Sequence, residues 1–582
     1  MKIQAAAHLY SNCASSANRS GNLSEADPVT TQIIRYALNS AARQMKRATV
    51  RTAFSPIIYE ALDFAVVLYD RRIRMLAQAP TLPIFVGTMG FCIEGAVEAV
   101  GGPGQLEPGD VLIYNVPYGT GSHAQDCAIV MPVFLPNGGL VGYAANKAHW
   151  LDIGAKAPYC TDTTDVYQEG VVIPGVKLYR AGKLNEDIHR MAIANCRFKK
   201  AVNGDLNAQV ASCHVGAREL QRVIQRFGYA TFSQCVERMF DHGELVMRKF
   251  IQSIPDGTYH GTCHMDDNGV EDSPIEFEVV ITVDGSNVRM DFSNSPDAQR
   301  GPVNAPFPST VSASRVALMM AAGNARETPN EGHFRPLEIV TRPGSMFHPV
   351  SPQPCYLYGW PLMSAIEGIF QALSVATAGQ LPSGGAGDTA AVQFYGHLSG
   401  TGEPFYAGGL SLPVGQGARP HCDGPTLFVP SLAQSHVQSP ELLEAKLPIQ
   451  FEQWEFTPDS GGPGQFRGGS GWQVSYTFSE DVMLISTIER TQVPSWAQRD
   501  GLPGVPNRLE IDFTDGHTET LRKVTNRKVP AGSRLRIYLG GGGGYGAPRD
   551  RSIAAVRADL LNGMITMQHA RKYYPHAVQV IR

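Results

Sequence analysis

Asp63, His123, Asp126 and His149 are the residues of this 582-residue chain whose types and setting best suit chemistry. Asp63 stands near the start of the apolar run Leu62-Asp63-Phe64-Ala65-Val66-Val67-Leu68-Tyr69. His123 and Asp126 share Ser122-His123-Ala124-Gln125-Asp126, and His149 lies in Ala148-His149-Trp150-Leu151-Asp152-Ile153-Gly154. Two imidazoles and two carboxylates suit a divalent ion, zinc first with manganese or iron as alternatives, and leave a position for water or substrate. Such an ion lowers the pKa of a bound water and polarises a carbonyl. The spacing is only moderately specific, because His-x-x-Asp arises by chance and no local motif ties Asp63 to the others. Polar groups satisfied at strand ends are the other reading of the same residues.

Other candidates are weaker. His260-Gly261-Thr262-Cys263-His264 has zinc-type ligands, but in a regular strand His260 and Cys263 point to opposite faces. Gly540 to Gly544 lacks the helix that a dinucleotide fingerprint requires immediately after it, so a tight structural turn is expected there. No Gly-x-x-x-x-Gly-Lys-Ser/Thr loop and no Gly-x-Ser-x-Gly elbow occurs. Cys160 with His149 as its base would make a nucleophile, yet a lone loop cysteine is more often inert.

The elements that must position these residues are legible in outline. Asp27 as N-cap with Pro28 at the first position predicts a helix to about Arg47. Strands are expected at Leu62 to Tyr69, Val111 to Asn115, Cys127 to Phe134 and Leu140 to Asn146. A helix capped by Asp205 and ended by Gly228 follows, then another over Phe232 to Gln252. Asp284-Gly285-Ser286 predicts a hairpin between Ile275–Val283 and Asn287–Ser293. Helices are expected at Leu362 to Ala378 and at Ser552 to Leu561. The expected fold class is mixed α+β, multidomain, with large sheets and helical layers. The expected divisions are an N-terminal extension (1–26), a metal-binding α/β region (27–253), a β-rich module (254–349) and a C-terminal α+β region with Gly-rich loops (350–582).

Composition excludes several classes. Hydrophobic residues at 43% and charged residues at 18% suffice for packed cores. A formal charge of -4 over this length offers no field for a phosphate backbone, so nucleic-acid binding is not expected. No run approaches the roughly 20 apolar residues that cross a bilayer. The first residues carry one lysine before alanines, but Gln4 and His8 interrupt any signal-peptide core. Ten cysteines scattered without a Cys-x-x-Cys pair suggest reduced thiols and a cytoplasmic protein.

A series of blocks in the right order resembles the hydantoinase B and oxoprolinase family. They are Asp27-Pro28-Val29-Thr30, Arg51-Thr52-Ala53-Phe54-Ser55-Pro56 leading to Asp63-Phe64, Asn115 to Asp126, and Ala145-Asn146-Lys147-Ala148-His149 with Asp152-Ile153-Gly154. Arg300-Gly301-Pro302-Val303-Asn304-Ala305-Pro306, Asn330-Glu331-Gly332, Phe334-Arg335-Pro336, Asp459 to Gly464, Phe466 to Gly469 and Gly541 to Gly546 continue the likeness, which spans residues 27 to 575. The resemblance implies that Asp63, His123, Asp126 and His149 are metal ligands and act catalytically through water activated at the metal. It also implies a partner, a hydantoinase A-like subunit with an actin-like ATPase fold, which binds ATP and Mg and phosphorylates the substrate. A hetero-oligomeric, ATP-dependent hydrolase of a hydantoin, oxoproline or lactam is the first expectation. A subunit of an acetone- or acetophenone-type ketone carboxylase is the second, and a non-catalytic structural subunit the third. Val116 and Trp150 depart from the family pattern; placed beside the ion they would signal an altered, more apolar or aromatic substrate, and the alternative reading is a neutral change of packing.

Overall fold

The computed structural model describes residues 26–323, 328–377, 379–408, 412–433 and 435–581, so most of the expected N-terminal extension, including Cys13, lies outside the described residues. The helices used below are α1 (Pro28–Thr52), α2 (Met89–Ala99), α3 (Lys199–Phe227), α4 (Tyr229–Ile251), α5 (Phe307–Ala321) and α6 (Gly359–Ala376). Helix α1 begins as its sequence dictates, with the Asp27 carboxylate accepting the Thr30 N–H at 2.7 Å and Pro28 at the first position. It runs five residues past Arg47, because Met45 and Thr49 continue its buried face through the basic run Lys46-Arg47. Helix α3 begins six residues before Asp205, which is no cap. Its carboxylate instead accepts the N–H groups of Phe54 (2.7 Å) and Ser55 (3.1 Å) just beyond α1.

The region expected to bind a metal is built on a seven-stranded antiparallel sheet in the order β2-β1-β5-β4-β3-β6-β7. Its strands are β1 (Phe64–Asp70), β2 (Met75–Gln78), β3 (Val111–Tyr114), β4 (Asp126–Phe134), β5 (Leu140–His149), β6 (Val176–Arg180) and β7 (Lys183–Leu184). Both faces are covered. Phe64, Val66, Leu68, Ile129 and Met131 pack under α1 and α3, while Ala65, Val67, Ala128, Val130 and Ala145 face α2 and a second core. Burial on both faces explains why these strands read as continuous apolar runs rather than alternating ones.

A four-stranded sheet follows, β8 (Gly257–Met265), β9 (Ile275–Asp284), β10 (Asn287–Asp291) and β11 (Leu337–Val340), with the expected hairpin between β9 and β10. Helix α6 packs against β8 closely enough that a Cβ on Gly261 would meet the Gly368 carbonyl at 1.9 Å.

The C-terminal strands form a four-stranded and a five-stranded sheet around a third core. Beside them Gly540 to Gly544 forms no turn, contrary to expectation. It is an extended buried segment bonded outward in several directions. Gly540 O accepts from Gly415 N, Gly541 N donates to Val505 O, Gly542 N to Gly469 O, Gly543 N to Gly384 O and Gly544 N to Leu502 O, all at 2.8–3.0 Å. Segments packed this tightly leave no room for side chains: a Cβ at Gly468 would stand 1.8 Å from the Gly542 carbonyl oxygen.

Candidate metal centre

Strand register explains the gathering of three candidate ligands. Asp126, the first residue of β4, pairs directly with His149, the last of β5, and the His149 N–H donates to the Asp63 carbonyl at 3.1 Å on the other side. Alternation along β1, β4 and β5 aims Asp63, Asp126 and His149 to the same face, the one occupied by Ala65, Ala128 and Ala145. His123, from the loop before β4, completes the set. His123 Nε2 lies 2.9 Å from His149 Nδ1 and 3.1 Å from Asp126 Oδ1, and His149 Nδ1 lies 2.9 Å from Asp126 Oδ1. Three buried donor atoms of metal-binding type therefore lie within 4.8 Å of one another.

The donor chemistry fits a divalent ion. The Tyr356 carbonyl only accepts, so His123 Nδ1 must donate to it across 2.8 Å, which leaves the Nε2 lone pair of the neutral ring aimed inward. The two inward imidazole nitrogens and a carboxylate oxygen converge with too few protons to satisfy them all, and a cation at their centre satisfies all three. Burial opposes charge on His123, but Asp126 outweighs it and raises the ring's pKa. Burial likewise opposes charge on Asp126, and His123 and His149 together hold its carboxyl well below the usual range.

Asp63 stands apart from the trio by one strand. With strands about 4.8 Å apart, Asp63 and Asp126 flank His149 at roughly 10 Å from each other. The Asp63 carboxylate accordingly falls outside the 4.8 Å set. Its Oδ1 is nevertheless buried with no hydrogen-bond partner, and burial pushes the carboxyl up to about 6 even though His149 pulls it down. An orphaned carboxylate oxygen beside the trio is a fourth donor in waiting.

Several residues that sequence reasoning missed support this centre. Tyr358 donates its hydroxyl to Asp126 Oδ2 at 3.1 Å. The rings of Tyr159, Tyr356 and Tyr358 wall in His123 at centroid distances of 6.1, 4.9 and 5.3 Å. Lys147, two residues before His149 on the same face, is fully buried, bonded to the Thr120 carbonyl (2.9 Å) and Thr88 Oγ1 (3.1 Å), and set over the Phe85 ring. Tyr358→Phe is expected to leave the fold intact and weaken metal affinity about 10- to 100-fold, as loss of an outer hydrogen bond does. Competition with a chromogenic chelator measures this, and unchanged affinity would count against the role.

Glu169 holds the tyrosine segment. Its Oε1 accepts the N–H groups of Cys355 (2.8 Å) and Tyr356 (2.9 Å) and the Thr163 hydroxyl (2.8 Å). Burial pushes its carboxyl from the usual 4.5 up to about 7. The folded state therefore keeps this proton when the unfolded chain has released it, and the associated stability is full below pH 4.5 and lost as pH rises to about 7. Glu169→Gln should thus gain melting temperature relative to the parent as pH rises through that window. A gap that stays constant from pH 5 to pH 8 would refute it.

The remaining sequence candidates do not join a site. Trp150 is not beside the ligands: it points to the helix-covered face, where its Nε1 donates to Gln209 Oε1 at 2.8 Å, because adjacent strand residues face opposite ways. Cys160 is buried, and burial pushes its thiol up to about 12, which suits no nucleophile. His260 is exposed and pairs with Glu278 at 2.6 Å, while Cys263 lies buried on the other face of β8.

Comparison with known proteins agrees with this architecture. A putative D-/L-hydantoinase subunit from Pseudomonas sp. (strain NS671) is 28% identical over 95% of this chain and 95% of its own length. The beta chain of the Pseudomonas jessenii caprolactamase is 30% identical over 94% of this chain and 96% of its own. The crystal structure of the ATP-dependent caprolactamase from Pseudomonas jessenii superposes with a TM-score of 0.86 at 28% identity, covering 94% of this chain and 96% of that one. A nucleotide-free acetone carboxylase also reaches 0.86, at 20% identity over 96% of this chain and 80% of that one, a likeness of fold alone. No helix among the described residues is long and apolar enough to cross a membrane. Residues 27–548 match the family described as Hydantoinase B/oxoprolinase, and the chain belongs to it.

Proposed function

We propose that this chain is the metal-dependent subunit of an ATP-dependent amidohydrolase, which opens a cyclic amide that a hydantoinase A-like partner subunit has activated by phosphorylation. The buried trio His123, Asp126 and His149 carries the reading, in a chain whose near full-length relatives are named as hydantoinase and caprolactamase subunits. Asp63 is the fourth ligand in this reading. A divalent ion held by these residues, zinc first with manganese or iron as alternatives, would lower the pKa of water and polarise a carbonyl.

The chain's own residues then have defined tasks. The Tyr356 carbonyl fixes the His123 ring, Tyr358 orients Asp126, and the tyrosine wall keeps bulk water from the reacting carbon. Burial lowers the pKa of the Lys147 ammonium, and the attraction of the two aspartates opposes that shift. Phosphorylation of the amide oxygen makes an imidate-like carbon with a good leaving group, so the residues here need only hold that carbon against a modest nucleophile. ATP and Mg belong to the partner, which accounts for the missing phosphate-binding loop. Dependence on ATP, with the buried thiols free, implies a cytoplasmic setting and a hetero-oligomer.

The test combines this chain with its ATPase partner, ATP and Mg, and supplies hydantoin, 5-oxoproline or a lactam in turn. Ring-opened product and ADP in equal amounts are expected, with neither protein active alone. Ring opening by this chain without ATP would sink the proposal. Bicarbonate-dependent, ketone-stimulated ATP turnover would instead establish the carboxylase reading. A complex indifferent to alanine at the ligands would establish a structural one.

A further inference from the structure

Three tyrosines wall the candidate metal centre, and two of their hydroxyls are committed. Tyr358 donates to Asp126 Oδ2 at 3.1 Å, while Tyr356 donates to Gln125 Oε1 and lies 3.2 Å from the Pro158 carbonyl. The third, Tyr159, has its ring 6.1 Å from that of His123, 6.4 Å from that of His149 and 4.9 Å, edge to face, from that of Tyr356. Its hydroxyl meets no hydrogen-bonding group among the described residues. A phenol more than nine-tenths buried ordinarily finds a partner, so this one calls for an occupant of the space beside it.

That space is the open side of the centre. Asp126 and Tyr356 are wholly buried, whereas residual exposure collects on His123 (5%), His149 (4%), Tyr159 (6%) and Tyr358 (7%). The opening therefore lies among these four side chains. Burial first, then Tyr406 and the Asp126 and Asp63 carboxylates, hold the Tyr159 hydroxyl well above the usual phenol range. It thus lies within electrostatic reach of both aspartates and keeps its proton.

The backbone on either side of Tyr159 is fixed. The Pro158 carbonyl accepts from Gln125 Nε2 at 3.0 Å as well as from Tyr356, and the Thr161 N–H donates to Thr525 Oγ1 at 2.9 Å. Gln125 Nε2 also reaches the Trp150 and Leu151 carbonyls, each at 3.3 Å, which ties this loop to the end of the strand that carries His149. A donor held in this way is preorganised and loses little freedom when an acceptor arrives.

We propose that Tyr159 contacts the substrate, its hydroxyl donating a hydrogen bond to an acceptor oxygen on the carbon that reacts at this centre. The inference rests on the proposed function in taking the centre as the place of reaction. It holds for an amide or a ketone alike, since both carry that oxygen. Tyr159 and Tyr358 then have separable tasks, the first toward the substrate and the second toward Asp126.

The test uses the full chain loaded with cobalt, whose visible spectrum reports its ligands, and acetohydroxamate, which offers two oxygens to a divalent ion. Tyr159→Phe keeps the ring and its packing, so it should take up cobalt and melt as the parent does. It should bind acetohydroxamate about three- to ten-fold more weakly, the worth of one neutral hydrogen bond. Tyr358→Phe should show the opposite split, with cobalt affinity lowered. In the complex with the ATPase partner, Tyr159→Phe should lower kcat about 100-fold while KM changes far less, because a donor counts most once charge gathers on the oxygen. Unchanged probe affinity with normal cobalt uptake overturns the inference and leaves the hydroxyl to water alone, and an unchanged kcat overturns it independently. Cobalt affinity reduced as far as in Tyr358→Phe also overturns it, by assigning Tyr159 to the ion. A parent chain that takes up no cobalt refutes the proposed function and this inference together.

Discussion

His149→Ala is expected to fold but fail to bind metal, and a complex reconstituted with it should lose essentially all of the proposed ring-opening activity. His149 is the middle member of the row Asp63, His149, Asp126, and its Nδ1 is 2.9 Å from both His123 Nε2 and Asp126 Oδ1. Removing it takes a donor from the centre and leaves His123 and Asp126 only 3.1 Å apart with nothing between them and Asp63. The loss of affinity should exceed the ~100-fold that removal of an outer partner produces. His123→Ala and Asp126→Ala should match it. Asp63→Asn, which keeps a neutral oxygen in place of the carboxylate, should reduce affinity less than loss of an imidazole and leave residual activity. Elemental analysis after dialysis against a weak chelator reads the series. Undiminished metal in His149→Ala, or complete loss in Asp63→Asn with none in the others, would require a different ligand set.

Gly468→Ala, a change of one methyl group, should prevent accumulation of folded protein or lower its stability by about 3–5 kcal/mol, the range of the severest single substitutions. The methyl would stand 1.8 Å from the Gly542 oxygen and 2.5 Å from its carbonyl carbon. Those are backbone atoms held by hydrogen bonds on both sides, so no rotamer change relieves the contact. Gly400→Ala is the control, since a Cβ there meets nothing within 4 Å. Thermal unfolding of both variants decides the matter, and equal melting temperatures would show that the glycine segments yield more easily than their packing indicates.

The fold and site are unequally legible in the sequence. Apolar runs place β1, β3 and β4 closely because burial on both faces leaves a continuous signal. β5 reads three residues short, since Asn146, Lys147 and His149 are polar residues inside a buried strand. Asp205 reads as a cap because its residue type fits one, while its carboxylate caps a segment 150 residues away. The ligand types are visible in single residues, but His-x-x-Asp and an isolated aspartate acquire meaning only through the pairing of β1, β5 and β4. Tyr356 and Tyr358 lie beyond reach, since they come to His123 and Asp126 across more than 230 positions. Their alternation in Tyr356-Leu357-Tyr358 is the one local hint. Trp150 misleads by adjacency: one residue along a strand is the opposite side of a sheet.

The glycine interior also sets how the C-terminal region responds to temperature. A core of alkyl side chains exposes apolar surface on melting and raises the heat capacity, whereas exposed peptide groups lower it. Segments joined peptide to peptide, as Gly540 to Gly544 is to its neighbours, therefore melt with a smaller heat-capacity increment than the usual ~12–15 cal/mol/K per residue. The glycine segments therefore add less to the heat-capacity increment of the C-terminal region, residue for residue, than the hydrophobic core beside them does.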